Sequence, residues 1–148
     1  MPERTLAVSE AHPSTRPPIV PAVLTGVAAF AASVLWYSPL LFGDLLASLD
    51  PTPPPPPWAM LVAPLREIAA ASVLSWLIVR LEIFEWRRAL ALGGGLWVAF
   101  HLVMMSGAVL FSGMAWRVAA IHAGDWLMKL LLISVLLSRW LGRRTASR

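Results

Sequence analysis

Six ionisable side chains interrupt apolar segments of this chain that are otherwise long enough to cross a lipid bilayer. They are Arg66, Glu67, His101, His122, Asp125 and Lys129. Such residues are costly in hydrocarbon, so they face one another or a functional site. Four kinds of role fit these residue types: a proton relay, a small-solute site, a haem or metal site through the imidazoles, and a lock between helices.

Three of the six residues share one face of the last apolar segment. His122, Asp125 and Lys129 stand at positions i, i+3 and i+7, which places them within about 60° of one another on a helix. Asp125 precedes Lys129 by four residues, the favourable order for an intrahelical ion pair. On another segment, Glu67 is expected to reach Lys129. Arg66 is expected to reach Asp125, so that the four charges sum to zero.

Composition indicates an integral membrane protein. Hydrophobic residues make up 58% of the 148 residues and charged residues 14%, whereas soluble domains are about 25% charged. The absence of cysteine excludes disulfides, thiolate catalysis and cysteine-ligated metal centres. The net charge of +4 comes from arginines that cluster at helix ends. We therefore expect anionic lipids at the cytoplasmic face as partners, and no nucleic acid.

The length of the apolar segments predicts an all-α protein with four transmembrane helices. They are expected at about residues 19–37, 58–80, 89–111 and 117–140, in a single membrane domain of residues 19–140. Gly26, Ala29 and Ser33 form a small-residue face on the first helix that favours close helix packing. Ser38-Pro39 is a typical helix start, so a short interfacial helix is expected over about residues 40–49.

The remaining segments are predicted to lie outside the membrane. Residues 1–18 are polar and contain four prolines, which predicts a disordered tail. Residues 50–57 predict an extended, proline-rich outer loop. Residues 141–148 are expected to form a basic cytoplasmic tail.

The distribution of basic residues predicts that both termini are cytoplasmic. In that orientation Arg117 is the one basic residue in the two outer loops. Nine basic residues lie on the opposite side: Arg4, Arg16, Arg80, Arg87, Arg88, Arg139, Arg143, Arg144 and Arg148. Counted at about 1.5 Å per residue, all six in-span ionisable residues then lie about 8 to 18 Å below the outer surface.

Two segments resemble a known family. One reads Trp36-Tyr37-Ser38-Pro39-Leu40-Leu41-Phe42-Gly43, and the other reads Ala120-Ile121-His122-Ala123-Gly124-Asp125-Trp126. Both are similar to segments of a bacterial membrane family known as domain of unknown function 1761, over about residues 23–140. The resemblance gives Trp36, Tyr37, Ser38, Pro39, Phe42 and Gly43 as signature residues. It implies four helices and a bacterial plasma (inner) membrane, and it implies no activity.

This chain departs from the family pattern at two places. Asp44 and Leu46 stand where many members have a lysine-like residue and a tryptophan. His122-Ala-Gly-Asp125 stands where many members have Asn-Ala-Gly-Tyr. The charged residues therefore characterise a more polar branch of the family rather than all of it.

The favoured interpretation is that the six in-span ionisable residues specify helix packing. It involves no catalytic residue, cofactor or metal, and it predicts that the protein is not an enzyme. The alternative is a small-solute or proton-coupled transporter or channel-like protein that uses the same residues as its site. That alternative requires a homo-oligomer, because four spans form a thin pathway. A second alternative is haem or metal binding through His101 and His122.

Overall fold

The computed structural model of the chain describes residues 18–51, 53 and 56–146, with side chains as far as residue 143. Helices account for 85% of these residues, and no strand occurs among them. Residues 1–17 of the predicted tail, residues 147 and 148, and parts of the proline-rich loop lie outside the described residues. The predicted all-α fold is confirmed.

Five helices follow one another along the described chain. They are α1 (Ile19–Trp36), α2 (Gly43–Leu49), α3 (Pro57–Arg80), α4 (Trp86–Ser112) and α5 (Trp116–Ala146). Within these residues α1, α3, α4 and α5 are long and apolar enough to cross a membrane. The four predicted spans are therefore confirmed.

Two helices extend beyond their predicted ends because the extra turns are packed. α4 begins at Trp86, three residues before the prediction, and Ala89 in its first turns is completely buried. A salt bridge of 3.2 Å between Arg88 Nε and Glu85 Oε2 joins that turn to the preceding residue. α5 continues past residue 140, and Leu141 is only 6% exposed. Burial of these side chains holds the flanking turns in helical form.

The predicted start of the interfacial helix is wrong. The hydroxyl of Ser38 donates to the carbonyl of Leu35 at 2.7 Å and so closes the end of α1 instead of starting a new helix. The chain then makes a tight turn in which the Gly43 amide donates to the Ser38 carbonyl at 2.9 Å. A Cβ at Gly43 would lie 2.5 Å from the Tyr37 carbonyl oxygen. The short helix α2 therefore begins at this glycine.

Helix α5 is the central element of the bundle. It contacts α1, α3 and α4, as well as the short α2, whereas α1 packs mainly on α3 and α5. The predicted small-residue face of α1 meets α3: a Cβ at Gly26 would lie 2.7 Å from the Cα of Ile68. Gly93 of α4 makes a similar close contact with Ser134 of α5. Glycine thus sets the distance at two helix crossings.

The apolar core and the charged residues occupy different levels of the bundle. The core lies between the C-terminal halves of α3 and α5 and the start of α4. It contains Ala29, Ala71, Leu74, Ile78, Ala89, Ile133, Leu137 and Leu141. Glu67 and Lys129 lie closer to the N-terminal ends of α3 and α5. The helices therefore bring the polar residues together beside the apolar core, on the side of the N-terminal ends of α3 and α5.

Candidate functional site

Lys129 lies at the centre of a buried ion cluster. Its ammonium Nζ is 2.9 Å from Glu67 Oε1 and 2.7 Å from Asp125 Oδ2. The Lys129 side chain is 0% exposed, and those of the two acids are no more than 2% exposed. Glu67 belongs to α3, whereas the other two residues belong to α5. The expected contact between Glu67 and Lys129 and the intrahelical pair on α5 are both present.

Helix α1 contributes Ser33 to the same cluster. Its hydroxyl donates to Asp125 Oδ1 at 2.8 Å and lies 3.5 Å from Lys129 Nζ. Sequence reasoning placed Ser33 on a packing face but missed this polar role. The signal that could have revealed this role was a hydroxyl on the helix face that, with Gly26 and Ala29, was already expected to meet another helix. Three helices therefore meet at one network of charged hydrogen bonds.

Arg66 pairs with Glu67, and the expectation that it reaches Asp125 is wrong. Its Nη2 donates to Glu67 Oε1 at 3.1 Å, the same oxygen that Lys129 contacts. The two oxygens of Asp125 are instead engaged by Lys129 and Ser33. The Arg66 side chain is 57% exposed, so it lies at the outer surface of the bundle. The four charges still sum to zero, and Arg66 is the cation that lies at the surface of the bundle.

The indole ring of Trp126 lies against both cations. Lys129 Nζ is 4.3 Å and Arg66 Cζ is 5.3 Å from the ring centroid. Both distances lie within the range of cation–π attraction. The imidazole of His101 packs on the same indole, with ring centroids 5.1 Å apart. An aromatic side chain therefore contacts both cations and replaces part of the hydration that Lys129 loses on burial.

The two histidines that the sequence singled out contact different partners. His101 packs on Trp126 and lies in a π-helical turn of α4, Trp97–Leu102. Its Nε2 is buried and has no hydrogen-bond partner among the described residues. Nδ1 of His122 is 2.8 Å from the Tyr37 hydroxyl. No group of three or more His, Cys, Asp or Glu within the described part of the chain could hold a metal ion.

Tyr37 follows the last residue of α1 and lies outside the spans. Burial, together with the negative charge of Asp125, raises the pKa of its phenol above the usual range. The phenol therefore stays protonated at neutral pH. In that form the phenol can form a hydrogen bond with His122 without adding a charge to the cluster.

The two segments that carry the family resemblance lie against each other. The indole Nε1 of Trp36 donates to the carbonyl of Ile121 at 3.2 Å. A Cβ at Gly124 would lie 2.8 Å from Trp36 Cζ2, so the glycine makes room for the indole. Phe42 also packs on Trp36, with ring centroids 4.6 Å apart. The end of α1 and the first turns of α5 therefore form one contact region.

This chain belongs to the DUF1761 family. The family model, described as a protein of unknown function, matches residues 20–138, most of the chain. No curated protein and no solved structure matches the chain. Membership in DUF1761 agrees with the four apolar helices, and it brings no activity with it. The function must therefore be argued from the geometry of the cluster.

Proposed function

We propose that the buried cluster specifies the helix packing of this DUF1761 membrane protein. The observation that supports it is the position of Lys129 Nζ, within 3 Å of carboxylates from α3 and α5. Asp125 also accepts a hydrogen bond from Ser33 of α1. A rotation or register shift of any of these helices would leave a charge unpaired in hydrocarbon, which is costly. The cluster therefore selects one arrangement among many apolar ones.

The expected contribution is to specificity more than to stability. Interhelical hydrogen bonds in membranes contribute only about 0.6 to 2 kcal/mol each. Removing one partner of a buried pair, by contrast, costs about 3 to 5 kcal/mol, because a charge is left without compensation. No catalytic step is assigned to the cluster in this proposal.

A comparison of single and paired substitutions tests the proposal. Lys129→Ala leaves Asp125 and Glu67 without their shared cation and should cost about 3 kcal/mol or more. Asp125→Asn combined with Lys129→Met keeps the bond between Arg66 and Glu67 and should cost less. Unfolding in detergent, followed by circular dichroism, measures both. If Lys129→Ala has the same free energy of unfolding as the unchanged protein, the cluster does not specify the helix packing.

A second candidate function is a proton or small-solute site in the same cluster. Glu67 Oε2 and His101 Nε2 favour it, because both are buried and lack a hydrogen-bond partner among the described residues. Buried polar atoms without partners are uncommon, and they are the kind of group that takes up a proton or a polar solute. Since four spans enclose little space, this function requires a homo-oligomer.

Proton flux into proteoliposomes distinguishes the second candidate from the first. A pH-sensitive dye inside the vesicles should report a flux that Glu67→Gln abolishes. Glu85→Gln is the matched control, because Glu85 is exposed and lies outside the spans. Light scattering during size-exclusion chromatography gives the oligomeric state of the same preparation. A monomer, or a flux equal in both variants, would argue against this candidate.

We further propose a bacterial plasma membrane location with both termini in the cytoplasm. The bias of basic residues toward the termini and the loop between α3 and α4 supports this orientation, and an even number of spans is compatible with two termini on the same side. Because the chain has no cysteine, single cysteines can report sidedness. Ser48→Cys and Ser112→Cys should react with an impermeant maleimide in intact cells, and Glu85→Cys only after lysis. The reverse pattern would invert the topology.

A further inference from the structure

Arg66 presents a cation on the outer surface of the bundle, well inside a membrane span. It lies nine residues after Pro57, so its Cα is about 14 Å along α3 from the start of the helix. Its side chain is 57% exposed. A guanidinium has five N–H donors, and the described residues accept one bond from it, at Glu67 Oε1. The guanidinium also contacts the Trp126 ring, 5.3 Å from Cζ to the ring centroid, and hydrocarbon offers no hydrogen-bond acceptor to the remaining donors.

A groove runs along α3 beside this side chain. Its volume is about 310 Å³, and it is lined by Trp58, Ala59, Met60, Val62, Ala63 and Arg66. Side chains of an α-helix tilt toward its N-terminus, so Arg66 extends toward the Trp58 end. Ala59 and Ala63 line the groove with small side chains that do not fill it. The result is a largely apolar groove that contains one cation.

The chemistry of this groove indicates an anionic group attached to an apolar body. A second copy of the chain cannot supply the anion from its spans, because the side chains of Glu67 and Asp125 are no more than 2% exposed. Phosphate oxygens match the fork geometry of a guanidinium. Arginine side chains also extend toward the interface, and the bilayer deforms locally to meet them.

We propose that this groove binds a phospholipid of the adjacent leaflet. A phosphate oxygen accepts hydrogen bonds from the N–H groups of Arg66 that Glu67 does not engage. The phosphate lies toward the Trp58 end of the groove, and the glycerol region lies on the side of it that faces the bilayer centre. The acyl chains continue toward the bilayer centre along the exposed apolar surface of α3, which includes Val73 and Trp76. The lipid phosphate thus satisfies the donors that the protein leaves open.

Native mass spectrometry with added phosphatidylglycerol tests the site through two matched pairs of variants. Arg66→Gln removes the cation, and Arg117→Gln removes an exposed cation that lies outside the groove, against Trp116. Val62→Trp fills the groove while keeping Arg66, and Val34→Trp adds the same bulk to α1. Val62 and Val34 are 50% and 52% exposed, so neither change disturbs the core.

The expected result is that Arg66→Gln and Val62→Trp retain phospholipid at least about tenfold more weakly than the unchanged protein. Arg117→Gln and Val34→Trp should retain it normally. If Arg66→Gln fails to fold, the tryptophan pair decides the question. Equal retention by both members of the tryptophan pair, or equal loss in both charge variants, overturns the proposal.

A second arm identifies the source of the phosphate. The same preparations are titrated with inorganic phosphate in place of the lipid. Binding of inorganic phosphate to Arg66 as tightly as phosphatidylglycerol would show that the site takes a free anion, and it would overturn the phospholipid assignment. The expected result is that inorganic phosphate neither binds at comparable concentration nor displaces the lipid, because it makes no apolar contact with the groove.

Discussion

Gly26 sets the distance between α1 and α3, so Gly26→Ala is expected to force the two helices apart. An added Cβ would lie 2.7 Å from the Cα and 2.9 Å from the backbone nitrogen of Ile68. Both atoms belong to the backbone of α3, so no change of rotamer can relieve the contact. One helix must move, and if it is α3, Glu67, the residue before Ile68, moves with it away from Lys129.

The size of the effect follows from two opposing contributions. Overpacking a close contact costs about 1 to 3 kcal/mol, and the upper end applies because the contact involves backbone. Alanine is a better helix former than glycine by about 1 kcal/mol. The free energy of unfolding should therefore fall by about 2 kcal/mol.

Unfolding in mixed micelles with increasing dodecyl sulfate, followed by circular dichroism, measures this change. Gly95→Ala is the matched control, because a Cβ at Gly95 of α4 would meet nothing within 4 Å. That variant should be as stable as the unchanged protein or more stable by up to about 1 kcal/mol. A Gly26→Ala protein that resists dodecyl sulfate as well as Gly95→Ala does would refute the close approach of α1 and α3.

Three further predictions concern single hydrogen bonds around the cluster. Ser33→Ala removes the donor to Asp125 and should lower the unfolding free energy by about 0.6 to 2 kcal/mol in the same detergent assay, whereas an effect near zero would contradict the bond. Trp97→Phe removes the bond from its indole Nε1 to the Ala123 carbonyl, 2.8 Å long, and should cost about 1 kcal/mol in that assay. Tyr37, the single tyrosine, should show no phenolate absorbance at pH 10.0, the usual pKa, until the protein unfolds. Because the folded state raises this pKa, stability should fall as the pH rises above 10; half-ionisation of the folded protein at pH 10.0 would contradict the burial of the phenol.

Much of the fold could be predicted from the sequence because its signals are local. A span is recognised from length and apolar content, and the order of spans follows from the chain. The stripe of His122, Asp125 and Lys129 follows from helix periodicity, and so does the ion pair within α5. The small face of α1 was also visible, since glycine and serine are small in any context.

The wrong predictions concern side chains whose partner depends on the surrounding structure. Helix geometry showed that Arg66 and Glu67 point about 100° apart, but it could not show which of them faces the interior. The structure turns Glu67 inward, where Lys129 binds it, and leaves Arg66 at the surface. Ser38 was misread for a similar reason: its hydroxyl can start one helix or close another, and the position of the Leu35 carbonyl decides.

The amino-acid sequence alone thus determined the number of spans, the residues that share a helix face and the presence of a costly set of charges in the membrane. Only the tertiary structure decided the other partners: Ser33 with Asp125, Arg66 with Glu67, and Trp36 against Gly124. The physical reason is one of range. Local features depend on covalent geometry and side-chain polarity, whereas a partner depends on which helices adjoin and how each is rotated, and many apolar packings satisfy the same hydrophobic pattern.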